Sequence, residues 1–124
     1  MKKKVLAVDD SATVREVLRA TLETAGYQVV LAADGHEALS VLSASANSID
    51  MVLTDLNMPN MDGLELIREV RSQPGYRFKP VMMLTSETQP ELKAEGKKAG
   101  ASCWLNKPFK PDRLLSVVQM VLPA

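Results

Sequence analysis

Three aspartates stand where apolar runs end. Asp9 and Asp10 close the run Val5-Leu6-Ala7-Val8, and Asp55 follows Met51-Val52-Leu53-Thr54. Two further runs end in Thr85-Ser86 and in Asn106-Lys107-Pro108. Carboxylates crowded at one place repel, and one of them takes up a proton unless a cation is present. An oxygen-only ligand set that leaves coordination positions open suits Mg2+, which keeps several waters and binds phosphate groups. Zinc is disfavoured, because one histidine, His36, and one cysteine, Cys103, make no cluster. With Mg2+ in place, Asp55 is a carboxylate nucleophile able to attack phosphorus. Lys107 and the ion would neutralise charge on the transferring phosphoryl group. Taken singly, each residue has a plain structural reading: Asp10 a helix cap, Asp55 a turn toward Pro59, Thr85 a strand-end cap, Lys107 a solvated loop residue. Their joint placement at strand ends points to a site.

The elements that must position them alternate along the chain. Val5–Val8, Val29–Ala32, Met51–Leu53, Val81–Leu84 and Ala101–Leu105 are short and continuously apolar, as parallel strands covered on both faces are. Between them run helical patterns. Val14, Val17, Leu18 and Leu22 share a face that stops at Gly26. Asp34-Gly35-His36-Glu37 opens a second helix, Asp62-Gly63-Leu64-Glu65 a third, and Thr88-Gln89-Pro90-Glu91 a fourth interrupted by Gly96. Pro111 opens a fifth, carrying Leu114, Val117, Val118 and Val121. The pattern predicts an α/β fold: a five-stranded parallel sheet in the flavodoxin-like order 2-1-3-4-5, with five helices on both faces. In such sheets ligands bind beyond the carboxyl ends of the strands, so all four polar endings converge on one edge.

A chain of 124 residues suits one domain, here 1–124. Lysine plus arginine equals aspartate plus glutamate, 15 each, which disfavours a nucleic-acid binder relying on general basicity. A lone cysteine fits a reducing, cytoplasmic setting. The lysines at 2–4 precede only four apolar residues, too few for a signal peptide or membrane span.

At Val8-Asp9-Asp10, Thr54-Asp55 with Met58-Pro59 and Asp62-Gly63, Thr85-Ser86 and Lys107-Pro108-Phe109, the chain resembles the receiver domains of two-component response regulators. The stretch Asn57–Leu66 is most similar to the single-domain chemotaxis type. The resemblance implies a lone receiver domain with no output domain, a monomer that assists its own phosphorylation and dephosphorylation without being a conventional enzyme. It implies Asp55 as phosphoacceptor, Thr85 and Lys107 on the phosphoryl oxygens, and Mg2+ held by Asp9, Asp10, Asp55 and the backbone of Asn57. Asn57 and Glu87 would tune hydrolysis. Thr85 and the aromatic position on the fifth strand, Trp104 here instead of Tyr or Phe, would form the switch. The implied phosphodonor is a sensor histidine kinase, and the implied target a separate protein, such as a flagellar motor switch component. The Lys107–Pro108 peptide is expected to be cis. The runner-up is a phosphorelay intermediate that passes the group to another histidine. An aspartyl-phosphate phosphatase of the haloacid dehalogenase type fits less well, since it wants two acids separated by one residue after its first strand.

Overall fold

The computed structural model describes residues 2–45, 47–86 and 90–123. Five strands alternate with five helices: β1 (Lys4–Val8), α1 (Ala12–Thr24), β2 (Gln28–Ala32), α2 (Gly35–Ala44), β3 (Met51–Asp55), α3 (Gly63–Ser72), β4 (Val81–Thr85), α4 (Pro90–Ala99), β5 (Cys103–Asn106) and α5 (Pro111–Val121). A single 3-10 turn at Pro74–Tyr76 precedes β4. All pairings are parallel and the strand order is β2-β1-β3-β4-β5. This is the flavodoxin-like arrangement predicted from the alternation of patterns.

Alternate residues of each strand feed two cores. Leu6, Val8, Val52, Val81 and Met83 face α2, α3 and the inner side of α4 through Leu42, Leu66, Ile67, Val70 and Leu92. Val5, Ala7, Met51, Leu53, Met82 and Leu84 face α1 and α5 through Leu18, Leu22, Leu114 and Val118. β3 and β4 are buried along their whole length. β2 and β5 are the sheet edges and keep partly exposed positions.

Helix ends follow local chemistry. Ser11, Asp34 and Asp62 cap α1, α2 and α3 by accepting from Val14, Glu37 and Glu65 N–H. Gly26 takes φ +98° just past α1, and Pro111 opens α5. The expected opening of α4 at Thr88-Gln89 lies outside the described residues.

Two sequence expectations need correction. β5 begins at Cys103 rather than Ala101, because the Ala101 N–H is used to close α4 on the Gly96 carbonyl at 2.9 Å. Val17 is not core: it is 42% exposed on the outer flank of α1. Cys103, on an edge strand, is half-buried and packs on the core facing α1 and α5. Among the described residues no helix is long and apolar enough to cross a membrane.

Candidate functional site

Register brings the polar endings to one edge. Val8 lies beside Thr54, Asp55 beside Leu84, and Thr85 beside Asn106. Asp9, Asp55, Thr85 and Lys107 therefore leave the sheet at adjoining positions. Carboxylate oxygens of Asp9, Asp10 and Asp55 lie within 4.8 Å of one another. Asp9 is fully buried, Asp55 is 6% exposed, and Asp10 faces solvent.

The β1–α1 turn explains how two adjacent acids serve one site. Asp10 is not the helix cap; Ser11 is, with its hydroxyl 3.2 Å from the Val14 nitrogen. Asp10 is thereby left to the cluster. Asp9 is held on every side: Ser11 N–H donates to its Oδ1 at 2.9 Å, Lys107 Nζ to its Oδ2 at 2.8 Å, and Arg15 Nη1 to its carbonyl at 2.7 Å.

Lys107 reaches back over the sheet edge from the loop after β5. Its backbone N–H donates to the Thr85 carbonyl at 2.8 Å, and its peptide bond to Pro108 is cis. Its ammonium sits 2.8 Å from Asp9 and 3.3 Å from Asp55. Burial alone would lower the Lys107 pKa, but the bond to Asp9 and the charges of Asp55 and Asp9 outweigh it and raise it. Asp55 shifts upward despite the same lysine, first through burial and then through the charge of Asp9. The two upward shifts are compatible because the ammonium is closer to Asp9, leaving Asp55 short of positive charge.

Asp55 is also framed by backbone. Thr54 Oγ1 donates to the Asp55 carbonyl at 3.0 Å, and Asn57 N–H lies 3.4 Å from Asp55 Oδ1. Gly63 packs so tightly beneath the loop that a Cβ there would stand 2.5 Å from the Asp55 carbonyl oxygen. Its N–H closes the loop on the Leu56 carbonyl at 2.8 Å. Asn57 is exposed on this loop.

The donor set fits Mg2+. It is all oxygen, it carries excess negative charge, and one of its three carboxylates opens to water, leaving positions for water and phosphate oxygens.

Residues 5–119 match the family of response regulator receiver domains. The chain belongs to this family. The receiver domain is similar to chemotaxis protein CheY1 of Helicobacter pylori, at 39% identity over 120 residues covering 96% of both chains. It is also similar to the solved chemotaxis response regulator CheY4 of Vibrio cholerae: 49% identity, TM-score 0.93, covering 98% of this chain and 100% of that one. The transcriptional regulatory protein PhoP of Bacillus subtilis is 35% identical over 98% of this receiver domain, which spans 49% of PhoP.

Two further expected positions lie on β4 and β5. Thr85 is 1% exposed at the end of β4. Trp104 lies on edge strand β5, half-buried against the core on the α4 side. Glu87 is outside the described residues. Sequence reasoning missed Ser11, Arg15 and Gly63 as supports of the site. A serine directly after two acids signals the cap. An arginine in the first turn of a helix, against the helix dipole, signals a local acceptor. Gly63 was read as part of a cap and of the family motif, and its close approach to Asp55 is visible only in three dimensions.

Proposed function

We propose that this receiver domain is a phosphoacceptor of a two-component pathway, with Asp55 as the accepting residue. The observation that carries the reading is the Lys107 ammonium bridging two buried carboxylates beside a solvent-facing third. Mg2+, held by Asp9, Asp10, Asp55 and the Asn57 backbone, would supply positive charge to the phosphoryl oxygens. A carboxylate oxygen of Asp55 attacks phosphorus, the bond from phosphorus to the donor histidine nitrogen breaks, and an acyl phosphate forms. Lys107 then stabilises charge on the transferred group, and the Thr85 hydroxyl accompanies it. Water later attacks the acyl phosphate and restores the carboxylate, with Asn57 and Glu87 setting the rate. The protein thus works as a cytoplasmic signalling switch rather than a conventional enzyme.

Similarity along almost the full length of chemotaxis proteins supports a single receiver unit, 1–124, whose output is a separate partner, of chemotaxis or motility type. The signal leaves through the face of α4, β5 and α5, where Thr85 and Trp104 sit on neighbouring strands. The test is incubation with Mg2+ and acetyl phosphate, then mass mapping of the modified residue. Label on Asp55 is expected, with none in Asp55→Asn. Label elsewhere, or equal labelling of the variant, overturns the assignment. In calorimetry, Asp10→Ala must bind Mg2+ more weakly than wild type.

A further inference from the structure

Helix α4 is held against the molecule at several separate points. Its helical neighbour is α3. Leu92 enters the core, and Gly96 is buried with the tip of Met83 where a Cβ would otherwise be. The two ends of the helix are held by different chemistry.

The C-terminal end is fixed by Arg71 of α3. Its Nε and Nη2 donate to the Gly100 carbonyl at 3.0 and 2.7 Å. Its Nη1 donates to the carbonyls of Tyr76, Arg77 and Lys79 at 3.0, 2.9 and 2.6 Å. Gly100 has φ +116°, and a Cβ there would stand 2.8 Å from Arg71 Cγ and Nε, so the glycine is what lets the guanidinium approach. Among the described residues Arg71 pairs with no carboxylate; it is spent on backbone carbonyls, with a longer bond from Nη2 to Ser102 Oγ at 3.4 Å. Such multiple bonds from one cation hold geometry firmly.

Nearer the N-terminal end, Leu92 packs on the core and Lys93 makes a soft contact with β5. Lys93 Nζ lies 5.7 Å from the centroid of the Trp104 ring. A cation over an indole face is attractive, and weakly so when both groups remain partly solvated. Two open clefts, of about 370 and 250 Å3, are both lined by Trp104 and by Arg113 of α5.

We infer that α4 is an arm hinged on Arg71 at its C-terminal end and latched toward its N-terminal end by Lys93 against Trp104. Opening the latch frees the leading half of the helix and the indole together, while the end at Gly100 stays in place. The use of this arm in signalling rests on the output face proposed above; the latch itself does not. Lys93 is therefore a positioning residue for Trp104.

The test uses the full chain without metal or phosphodonor, so that it is independent of whether Asp55 accepts a phosphoryl group. Lys93→Met keeps the length and helix preference of the side chain and removes the charge. Acrylamide quenching of the sole tryptophan should rise, reflecting a latch equilibrium shifted by roughly two- to fivefold, and Lys93→Arg should restore the wild-type value. In hydrogen exchange, Lys93→Met should accelerate amides in the first half of α4 while those at 96–101 stay unchanged. Quenching identical in Lys93→Met and wild type, or exchange rising equally along the whole helix, overturns the latch. Phosphorylation of Asp55 in the same variant, measured separately, reports on the functional reading alone.

Discussion

Asp55 and Lys107 set the local energetics of the site. Lys107 lies nearer to Asp9, and Asp55 has a raised pKa from burial first and Asp9 second. A carboxylate whose folded pKa lies above its unfolded value contributes stability below the unfolded value and loses it as pH rises through the folded one. Ionised Asp55 therefore destabilises the metal-free protein at neutral pH. Asp55→Asn should raise the thermal midpoint at pH 7 in the presence of a chelator. The gap to wild type should close as pH falls below about 4, where both side chains are neutral. A lower midpoint for the variant at pH 7 would contradict this ordering of charges. Lys107→Met removes the opposite partner and leaves Asp9 fully buried without its ammonium. It should cost about 3 kcal/mol in metal-free chemical denaturation, in the range seen when a buried pair is broken. At this scale the acids and Lys107 were legible in the sequence, because their types are wrong for strand ends. Arg15 was legible only as a cation placed against the helix dipole, because its partner is a backbone carbonyl, which has no residue type of its own to read.

Two glycines show how elements constrain the site. At Gly63 a new Cβ would meet backbone, 2.5 Å from the Asp55 carbonyl oxygen and 2.8 Å from Leu56 Cα. Backbone cannot step aside without moving Asp55 itself. Gly63→Ala should cost about 1–3 kcal/mol and weaken labelling by acetyl phosphate at saturating Mg2+. At Gly96 the nearest atom is the Met83 Cε, 2.8 Å away at the end of a flexible side chain. Gly96→Ala also gains about 1 kcal/mol of helix preference. The two effects offset, so urea denaturation should place Gly96→Ala within about 1 kcal/mol of wild type. Equal destabilisation by both substitutions would contradict the distinction between backbone and side-chain neighbours. The same logic bears on Gly96 as a sequence signal. Read along the chain, it only weakens a helix; in the fold it lets α4 lie close over β4.

Across the whole molecule, Tyr27 joins the start of β2 to the end of α5. It is 1% exposed, and its hydroxyl donates to the Leu122 carbonyl at 2.6 Å across 95 positions of sequence. Burial raises its pKa. The folded protein thus keeps the phenol proton at a pH where the unfolded chain has lost it. The stabilising contribution is complete below the unfolded value, about pH 10, and is lost as pH rises through the folded one. Tyr27→Phe should cost about 1 kcal/mol at pH 7. The stability difference between wild type and Tyr27→Phe should shrink above about pH 10, which denaturant titrations at pH 7 and above 10 would detect.

What the sequence determined by itself was the alternation of elements, the parallel sheet and the set of residues beyond its carboxyl edge. Those follow from local patterns: apolar runs, helical spacing, caps, and polar residues where a core would reject them. What only the tertiary structure decided depends on distances between segments far apart in the chain. It decided that Ser11 rather than Asp10 caps α1, leaving Asp10 to the cluster. It decided that Lys107 favours Asp9 over Asp55, and that Gly63 must lack a side chain. It also placed Val17 outside the core, since α1 buries a narrower stripe, Leu18 and Leu22, than its apolar residues suggest. The hinge at Arg71 and the latch at Lys93 belong to the same class. Each joins groups brought together by the winding of the sheet, and neither a guanidinium seeking carbonyls nor a lysine resting on an indole leaves a pattern along the chain.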